Sequence, residues 1–326
     1  MSAASPAGGA PARMTGGEAV VRTLMALGVR AVFGIPSVHN LPIVDALARV
    51  PGAPEFVGTR HEQGACSMAD AYARATGGLG VCLTSTGPGA ANSVASMFEA
   101  ETSCSPVLQI TGQVPTEFLD RRKGVLHEIR DQPAMLGAVT KGVGRAASVA
   151  SIPEAVVAGA RLALSGRPGP AVVECPIDLQ YASDTVTLPT GLVVPPALPA
   201  APDVEAAARL LGSARRVAIW AGGGAVRSRA DVAALAERLG AMVVVTGNGR
   251  GAIDESHPLC VGPFSTDPEV RAYLESCDVW LGLGTRFRYD STAEWAIRPP
   301  VGGVVHVNID PDERGRNYPA EVFVAA

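Results

Sequence analysis

The 326-residue sequence lacks several patterns that would place it in common functional classes. With 27 Lys and Arg against 31 Asp and Glu, the net charge is -4, so there is no excess of positive charge to hold a nucleic acid. No apolar run is long enough to cross a membrane, and the first residues have no apolar core of a secretory signal. The six cysteines include no CxxC pair, which argues against a zinc site or a disulfide framework. These absences favour a cytoplasmic protein without a nucleic-acid or membrane partner.

What the chain does contain predicts two domains. A hydrophobic content of 47% with 37 Gly and 26 Pro is typical of a globular α/β protein of this length. Residues 1–14 are mainly Ala, Gly, Pro and Ser, which predicts a disordered tail. Residues 187–202 hold five prolines and no charged residue, so we expect a stiff linker over 187–203. The first domain then covers residues 15–186 and the second 204–326.

Both predicted domains alternate strands with helices. Thr15 can cap the first helix, a short strand follows at Ala31 to Gly34, and the order continues in this way along the chain. The alternation predicts two α/β domains, each a doubly wound parallel sheet covered by helices. The polar segment 115–132 is expected to be a loop that reaches an active site or a neighbouring subunit.

One stretch, Thr59 to Gly89, combines an acid with a Gly-Pro-Gly loop. Glu62 follows the apolar segment EFVG and opens an Ala-rich helix, where an acid is favoured by the helix dipole. The next strand ends in STGPGAAN, and the two glycines of its loop let the backbone approach a ligand closely. Taken singly, Glu62 could be an ordinary helix acid and Gly87 to Gly89 an ordinary turn.

Taken together, these phrases resemble one family. The ordered series RHEQGA, ADAYARATG, GVCLTSTGPGAAN and PVLQITGQVP resembles the pyrimidine-binding domain of thiamin-diphosphate enzymes of the acetolactate synthase family. The resemblance runs from about Thr15 to the C-terminus. It implies a pyrimidine-binding domain followed by a Rossmann-like central domain. It also implies a lyase or transferase, a carboligase or decarboxylase of a 2-oxo acid or related acyl donor.

The resemblance assigns roles to individual residues. Glu62 matches the catalytic glutamate whose carboxyl group bonds the pyrimidine ring of the cofactor and promotes its reactive tautomer. Gln113 matches a catalytic glutamine that lies beside the reacting carbon. The residues implied to bind the cofactor are Pro36, Glu62, Thr86, Gly87, Pro88, Gly89 and Asn92.

Two segments depart from the family pattern. Ser37 stands where glycine is common, and Leu126, His127 and Glu128 replace the usual Phe-Gln-Glu. The second departure argues against assigning pyruvate and 2-ketobutyrate as substrates. We expect His39, Leu126 and His127 to face the substrate, although the sequence also allows His39 to be a surface histidine.

The second domain resembles the central domain of the family, which binds FAD, ADP or nothing. The residues that match its nucleotide site are Gly222, Gly223, Gly224, Arg286 and Asp310. Because a short glycine turn occurs in many contexts, we favour an empty domain over one that binds flavin.

The sequence contains no GDG, the family motif that binds the cofactor diphosphate through Mg²⁺. We therefore expect the diphosphate-binding domain to be absent and a GDG-containing partner chain to supply it, in a homo- or hetero-oligomer, dimer or tetramer. A natural split subunit and a truncation both fit, and no metal ligands are expected here.

Two other classes stay open. A nucleotide-dependent oxidoreductase should show a ribose-binding acid after the strand AMVVVTGNG, where none occurs. A non-catalytic scaffold with the same fold would be expected to have lost Glu62.

Overall fold

The computed structural model describes residues 9–326, and the chain divides between Val194 and Pro195 into two compact units. Each unit contains a six-stranded sheet in which all the paired strands are parallel. Apolar clusters cover both faces of each sheet. The prediction of two doubly wound α/β domains is therefore confirmed.

In the first unit the sheet order is β3-β2-β4-β5-β7-β6, and β1 pairs antiparallel with β8. The strands are β1 (Ala12–Thr15), β2 (Ala31–Gly34), β3 (Glu55–Gly58), β4 (Gly80–Thr84), β5 (Val107–Gln113), β6 (Val143–Arg145), β7 (Ala171–Pro176) and β8 (Ser183–Val186). The helices are α1 (Gly16–Ala26), α2 (Leu41–Arg49), α3 (Glu62–Thr76), α4 (Pro88–Thr102), α5 (Gln132–Gly137), α6 (Ile152–Leu164) and α7 (Ile177–Tyr181).

Alternate residues of a strand face opposite cores. In β4, Val81 and Leu83 join the core formed with α1, α2 and α6, whereas Cys82 joins the core formed with α3, α4 and α5. Every residue of β4 is buried, as expected of a strand with helices on both faces. This buried strand places the following Ser85–Gly89 loop at the carboxyl end of the strands, in the middle of the sheet.

In the second unit the sheet order is β11-β10-β9-β12-β13-β14. The elements are α8 (Ala201–Ser213), β9 (Val217–Ala221), α9 (Arg229–Leu239), β10 (Met242–Val245), β11 (Cys260–Gly262), α10 (Pro268–Glu275), β12 (Val279–Leu283), β13 (Val304–Asn308) and β14 (Val322–Ala325). One face packs Trp220, Trp280 and Phe287 into an aromatic core, with Trp220 and Trp280 centroids 5.3 Å apart.

Two expected boundaries differ from the structure. The disordered tail was expected to reach residue 14, but Ala12–Thr15 forms β1 and pairs with Ser183–Val186, because its backbone completes a two-stranded ladder. That boundary is wrong at residues 12–14, and residues 1–8 lie outside the described residues. The last residues of the expected linker, 201–203, are also not linker, because they form the first turn of α8.

Over residues 9–326, the structure contains no helix that is both long enough and apolar enough to span a membrane.

Candidate functional site

The residues singled out in the first unit lie where parallel strands end. Glu62 follows β3, the segment 35–40 follows β2, the Ser85–Gly89 loop follows β4, and Gln113 ends β5. These strands are neighbours in the sheet, in the order β3-β2-β4-β5. Because the carboxyl ends of parallel strands meet at one edge, residues far apart in sequence come together there.

Glu62 contacts the helix that follows the Gly-Pro-Gly loop. It is the first residue of α3, and its Oε2 accepts a hydrogen bond from Nδ2 of Asn92 at 3.0 Å. A Cβ placed on Gly89 would stand 2.8 Å from Oε1 of Glu62 and 2.7 Å from the Cβ of Ser85. The structure therefore joins the predicted acid to the predicted loop, and Gly89 leaves the space that the carboxylate occupies.

Gly87 adopts a conformation that other residues rarely take. Its φ is 56° and its ψ is -111°, and a Cβ would stand 2.1 Å from the carbonyl oxygen of His127. Pro88 is exposed and begins α4, a position where a missing N–H costs nothing. The contact of His127 with Gly87 thus brings the segment 115–132 to the Gly-Pro-Gly loop. That this segment reaches an active site or a neighbouring subunit stays a prediction.

Gln132 bonds the Gly-Pro-Gly loop, and its sequence context did not single it out as a site residue. Its Oε1 accepts hydrogen bonds from the backbone N–H of Gly87 and the hydroxyl of Thr86, both at 2.8 Å. The only local signal is that Asp131 and Pro133 flank it as helix-start residues, which indicates the start of α5 but no contact with Gly87.

Gln113 lies inside a buried network. Its Nε2 donates to Oε1 of Glu174 at 3.0 Å, and its Oε1 accepts from the backbone N–H of Val114 at 2.7 Å. The side chain is about 5% exposed. A contact between Gln113 and the reacting carbon stays a prediction.

His39 and His127 lie side by side next to the loop. Their ring centroids are 5.2 Å apart, and the Nδ1 atoms of both rings are buried without a hydrogen-bond partner among the described residues. His39 is 4% exposed, so it is not a surface histidine. Burial lowers the pKa of His39 and the neighbouring His127 lowers it further, while a hydrogen bond to the backbone of Leu126 opposes both effects.

Pro36 and Leu126 present apolar surface in the same region. Pro36 is exposed in a loop that Asn40 holds, since Oδ1 of Asn40 accepts from the N–H of Ser37 and its Nδ2 donates to the carbonyl of Ile35. Leu126 is 60% exposed, an unusual position for a leucine that lies beside the buried His39 and precedes the half-buried His127. Both side chains are available to a ligand.

In the second unit, the residues that match a nucleotide site also share one edge. Gly222 to Gly224 follow β9, Arg286 follows β12 and Asp310 follows β13, three adjacent strands. The glycines, however, pack against protein backbone: a Cβ on Gly222 would stand 2.2 Å from the carbonyl oxygen of Gly284, and one on Gly224 would stand 2.8 Å from the Cα of Gly284. The close approach of two loops thus already explains glycine at these positions.

Within residues 9–326 no group of three or more His, Cys, Asp or Glu side chains is placed to hold a metal ion.

Comparisons with known proteins match both units. Residues 14–135 match the family described as thiamine pyrophosphate enzyme, N-terminal TPP binding domain, and residues 204–326 match thiamine pyrophosphate enzyme, central domain. The chain is 35% identical over 321 residues to a probable acetolactate synthase large subunit of Methanocaldococcus jannaschii, a match that covers 95% of this chain and 53% of the relative.

Two further relatives are equally similar. One is the acetolactate synthase large subunit of Corynebacterium glutamicum, 35% identical with 96% of this chain and 51% of the relative covered. The other is a probable 2-ketoarginine decarboxylase of Pseudomonas aeruginosa, 35% identical with 95% and 55% covered. The chain therefore spans about half the length of the curated relatives it matches. It belongs to the acetolactate synthase-like family of thiamin-diphosphate enzymes, of which it carries the N-terminal TPP-binding domain and the central domain.

Proposed function

We propose that the chain supplies the pyrimidine-binding half of a thiamin diphosphate site in a carboligase or decarboxylase. The observation that carries this proposal is the contact of Glu62 with Asn92 and Gly89, which places a carboxylate at the Gly-Pro-Gly loop. A carboxyl group in this position can share a proton with a ring nitrogen, which is the chemistry required of the family glutamate.

The residues present fit a flat heterocycle. Gly87 and Gly89 bring the loop backbone into close contact with His127, Ser85 and Glu62, where any Cβ would collide, and so fix the loop beside the carboxylate. The hydroxyl of Ser85 is buried without a hydrogen-bond partner among the described residues, as is common where a ligand supplies the partner. When bound, thiamin diphosphate supplies a nucleophilic carbon for attack on a carbonyl. Glu62 then holds the proton at the pyrimidine nitrogen, and the loop positions the ring.

The substrate proposed is a 2-oxo acid or a related acyl donor. The exposed Leu126 offers apolar contact, and beside it His39 and His127 each carry an Nδ1 atom that is buried and has no hydrogen-bond partner among the described residues. The relatives named above include both acetolactate synthases and a probable 2-ketoarginine decarboxylase at the same identity. Carboligation and decarboxylation are therefore both kept in the proposal.

The diphosphate half is proposed to come from a GDG-containing partner chain that also binds Mg²⁺. Support for this is that the two domains matched here, the N-terminal TPP-binding domain and the central domain, contain no GDG phrase. In the second unit we propose a domain without flavin, because the packing of Gly222 and Gly224 against Gly284 accounts for the glycine turn.

The test of the proposed function is Glu62→Gln in the assembled enzyme. The amide keeps the shape of the side chain but cannot share the proton, so exchange of the cofactor C2 proton for deuterium should slow roughly a hundredfold to ten-thousandfold. NMR after acid quench measures the exchange. Glu154→Gln is the matched control, because Glu154 is also an acid in the first turn of a helix, α6, and is exposed. If Glu62→Gln exchanges as fast as the wild type, Glu62 is only a helix acid.

A second measurement addresses the partner. Calorimetry with thiamin diphosphate and Mg²⁺ should show weak binding to this chain alone and tighter binding once a GDG-containing chain is added. Micromolar affinity for this chain alone would contradict the need for a partner.

A further inference from the structure

Gln132 makes all the hydrogen bonds that one side-chain amide normally makes. Its Oε1 accepts from Gly87 and Thr86, and its Nε2 donates to Oε1 of Glu174 at 2.8 Å and to the carbonyl of Gly112 at 3.2 Å. The residue is 1% exposed. A glutamine with two acceptor and two donor contacts has a single orientation available to it.

Glu174 determines that orientation. The carboxylate is completely buried, and its Oε2 accepts a hydrogen bond from Nε of Arg145 at 2.6 Å. Because an ionised carboxylate only accepts hydrogen bonds, it draws the NH₂ group of Gln132 towards itself and turns the amide oxygen towards the loop. Arg145 balances the charge, without which a buried carboxylate would be costly.

Gly87 needs such a support. It is the N-cap of α4 and has no side chain to satisfy the helix terminus, and its φ of 56° with ψ of -111° lies outside the usual conformations. The carbonyl of His127 packs on its Cα side, and Gln132 accepts from its N–H. The segment from His127 to Gln132 thus holds Gly87 on two sides.

We propose that Arg145, Glu174 and Gln132 form a positioning series that sets the backbone of Thr86 and Gly87 for the pyrimidine ring. This inference rests on the proposed function for the identity of the ligand. Gln132 is a positioning residue in it, since it acts on the cofactor only through the loop. The series begins at β6, crosses β7 and ends at the first residue of α5, so it couples the sheet to the loop.

The first test measures the loop directly, in the full chain and without cofactor. Gln132→Met keeps the length of the side chain but removes the acceptor for Gly87, so the hydrogen-exchange protection factor of the Gly87 amide, measured by NMR, should fall at least roughly tenfold. Gln109→Met is the matched control. Gln109 is also completely buried and hydrogen-bonded, but to Ser93 and Thr84, so its loss should leave Gly87 protected. Unchanged protection of Gly87 in Gln132→Met would overturn the inference.

The second test distinguishes a Gln132 that positions the loop through its hydrogen bonds from a Gln132 that only fills space in the core. Gln132→Glu places a carboxyl group beside Glu174, where only the protonated form can still donate a hydrogen bond. The ionised carboxyl group would be repelled by Glu174 and turn away from the loop, so protection of Gly87 should be low at neutral pH and recover as the pH falls, a dependence absent from Gln132→Met. The other titratable or charged groups nearby are Arg145, His39 and His127, and the wild type measured at each pH accounts for them. A Gln132→Glu variant that never recovers contradicts the positioning role.

The last measurement distinguishes this inference from the proposed function. In the assembled enzyme, Gln132→Met should weaken thiamin diphosphate binding roughly tenfold, as expected for one lost hydrogen bond to a placed group. Loss of Gly87 protection without any loss of cofactor affinity would overturn the link between loop and cofactor. If the Glu62→Gln test fails, the ligand assignment fails, while the exchange test still reports on the support of Gly87 by Gln132.

Discussion

The carboxylate of Glu62 occupies the space that a side chain on Gly89 would need. Its Oε1 lies 2.8 Å from the position of a Cβ on Gly89, and its Oε2 bonds Asn92, one helical turn further along α4. Gly89 and Asn92, one turn apart on α4, therefore contact the two oxygens of the Glu62 carboxylate and fix its position. This relationship explains why glycine and asparagine occur three residues apart in GPGAAN.

Gly89→Ala should reduce activity more than it reduces stability. The new methyl group would collide with Oε1 of Glu62 and with the Cβ of Ser85, so the carboxylate must move away from Asn92. We expect a loss of roughly 1–3 kcal/mol in the free energy of unfolding and a fall in C2 exchange approaching that of Glu62→Gln. Urea unfolding and the deuterium exchange assay measure the two effects.

Gly64→Ala is the matched control for that variant. Gly64 lies in α3, and a Cβ there would meet nothing within 4 Å. Alanine should stabilise the helix by about 0.5–1 kcal/mol and leave the exchange rate unchanged. Equal effects of the two variants on exchange would show that the site responds to α3 in general and not to the contact of Gly89 with Glu62.

His39 should make the first unit sensitive to mild acid. Its pKa is lowered by burial and by His127, so the unfolded chain, with an ordinary pKa of 6.5, binds the proton more readily. The contribution to stability is present above about pH 6.5 and is lost as the pH falls towards the folded-state pKa. His39→Phe should lose less stability than the wild type between pH 7.5 and 5 in urea unfolding.

His306 provides the comparison for that experiment in the second unit. Burial also lowers its pKa, and its Nε2 bonds the carbonyl of Thr285 at 2.8 Å. His306→Phe should therefore reduce the acid sensitivity of the second unit and not that of the first. An acid response of the first unit that is the same with and without His39 would contradict the assignment.

Leu126→Ala should change substrate preference without changing stability. The side chain is 60% exposed, so its removal should alter the free energy of unfolding by no more than about 0.5 kcal/mol. If it lines the acyl pocket, kcat/KM for a 2-oxo acid with an apolar chain should fall roughly tenfold. Leu198→Ala, at 81% exposure in the segment before α8, is the control. An unchanged kcat/KM for substrates of every chain length would exclude Leu126 from the pocket.

Phe98→Glu should weaken self-association or binding of the partner chain. Helices α3 and α4 are rich in Ala and Ser and leave Met68 and Phe98 exposed, at 40% and 55%. A buried charge without a partner would oppose a close helix contact between subunits. Light scattering at micromolar concentration, with Leu198→Glu as the control, measures the assembly. A wild type that stays monomeric both alone and with its partner would contradict this prediction.

Much of the fold followed from local pattern. The alternation of apolar strands and amphipathic helices predicted both doubly wound sheets, since a strand buried on two faces reads as a continuous apolar run such as GVCLT. The acid at the start of α3 and the Gly-Pro-Gly loop were also visible, because helix starts and glycine turns depend on neighbouring residues. Strand β1 was missed, since Ala12–Thr15 is ordered only by pairing with Ser183–Val186, more than 160 residues away.

The sequence by itself therefore determined the parallel sheets, the family and the elements that carry Glu62 and Gly87. Only the tertiary structure decided which side chains meet at the edge of the first sheet. Glu174 and Gln132 are 42 residues apart, on β7 and α5, and nothing in their local sequence indicates that they touch. They meet because the order β5-β7-β6 places Glu174 on the strand between Gln113 and Arg145, where it bonds both of them and Gln132. Long-range pairing of this kind leaves no periodic signal in the chain.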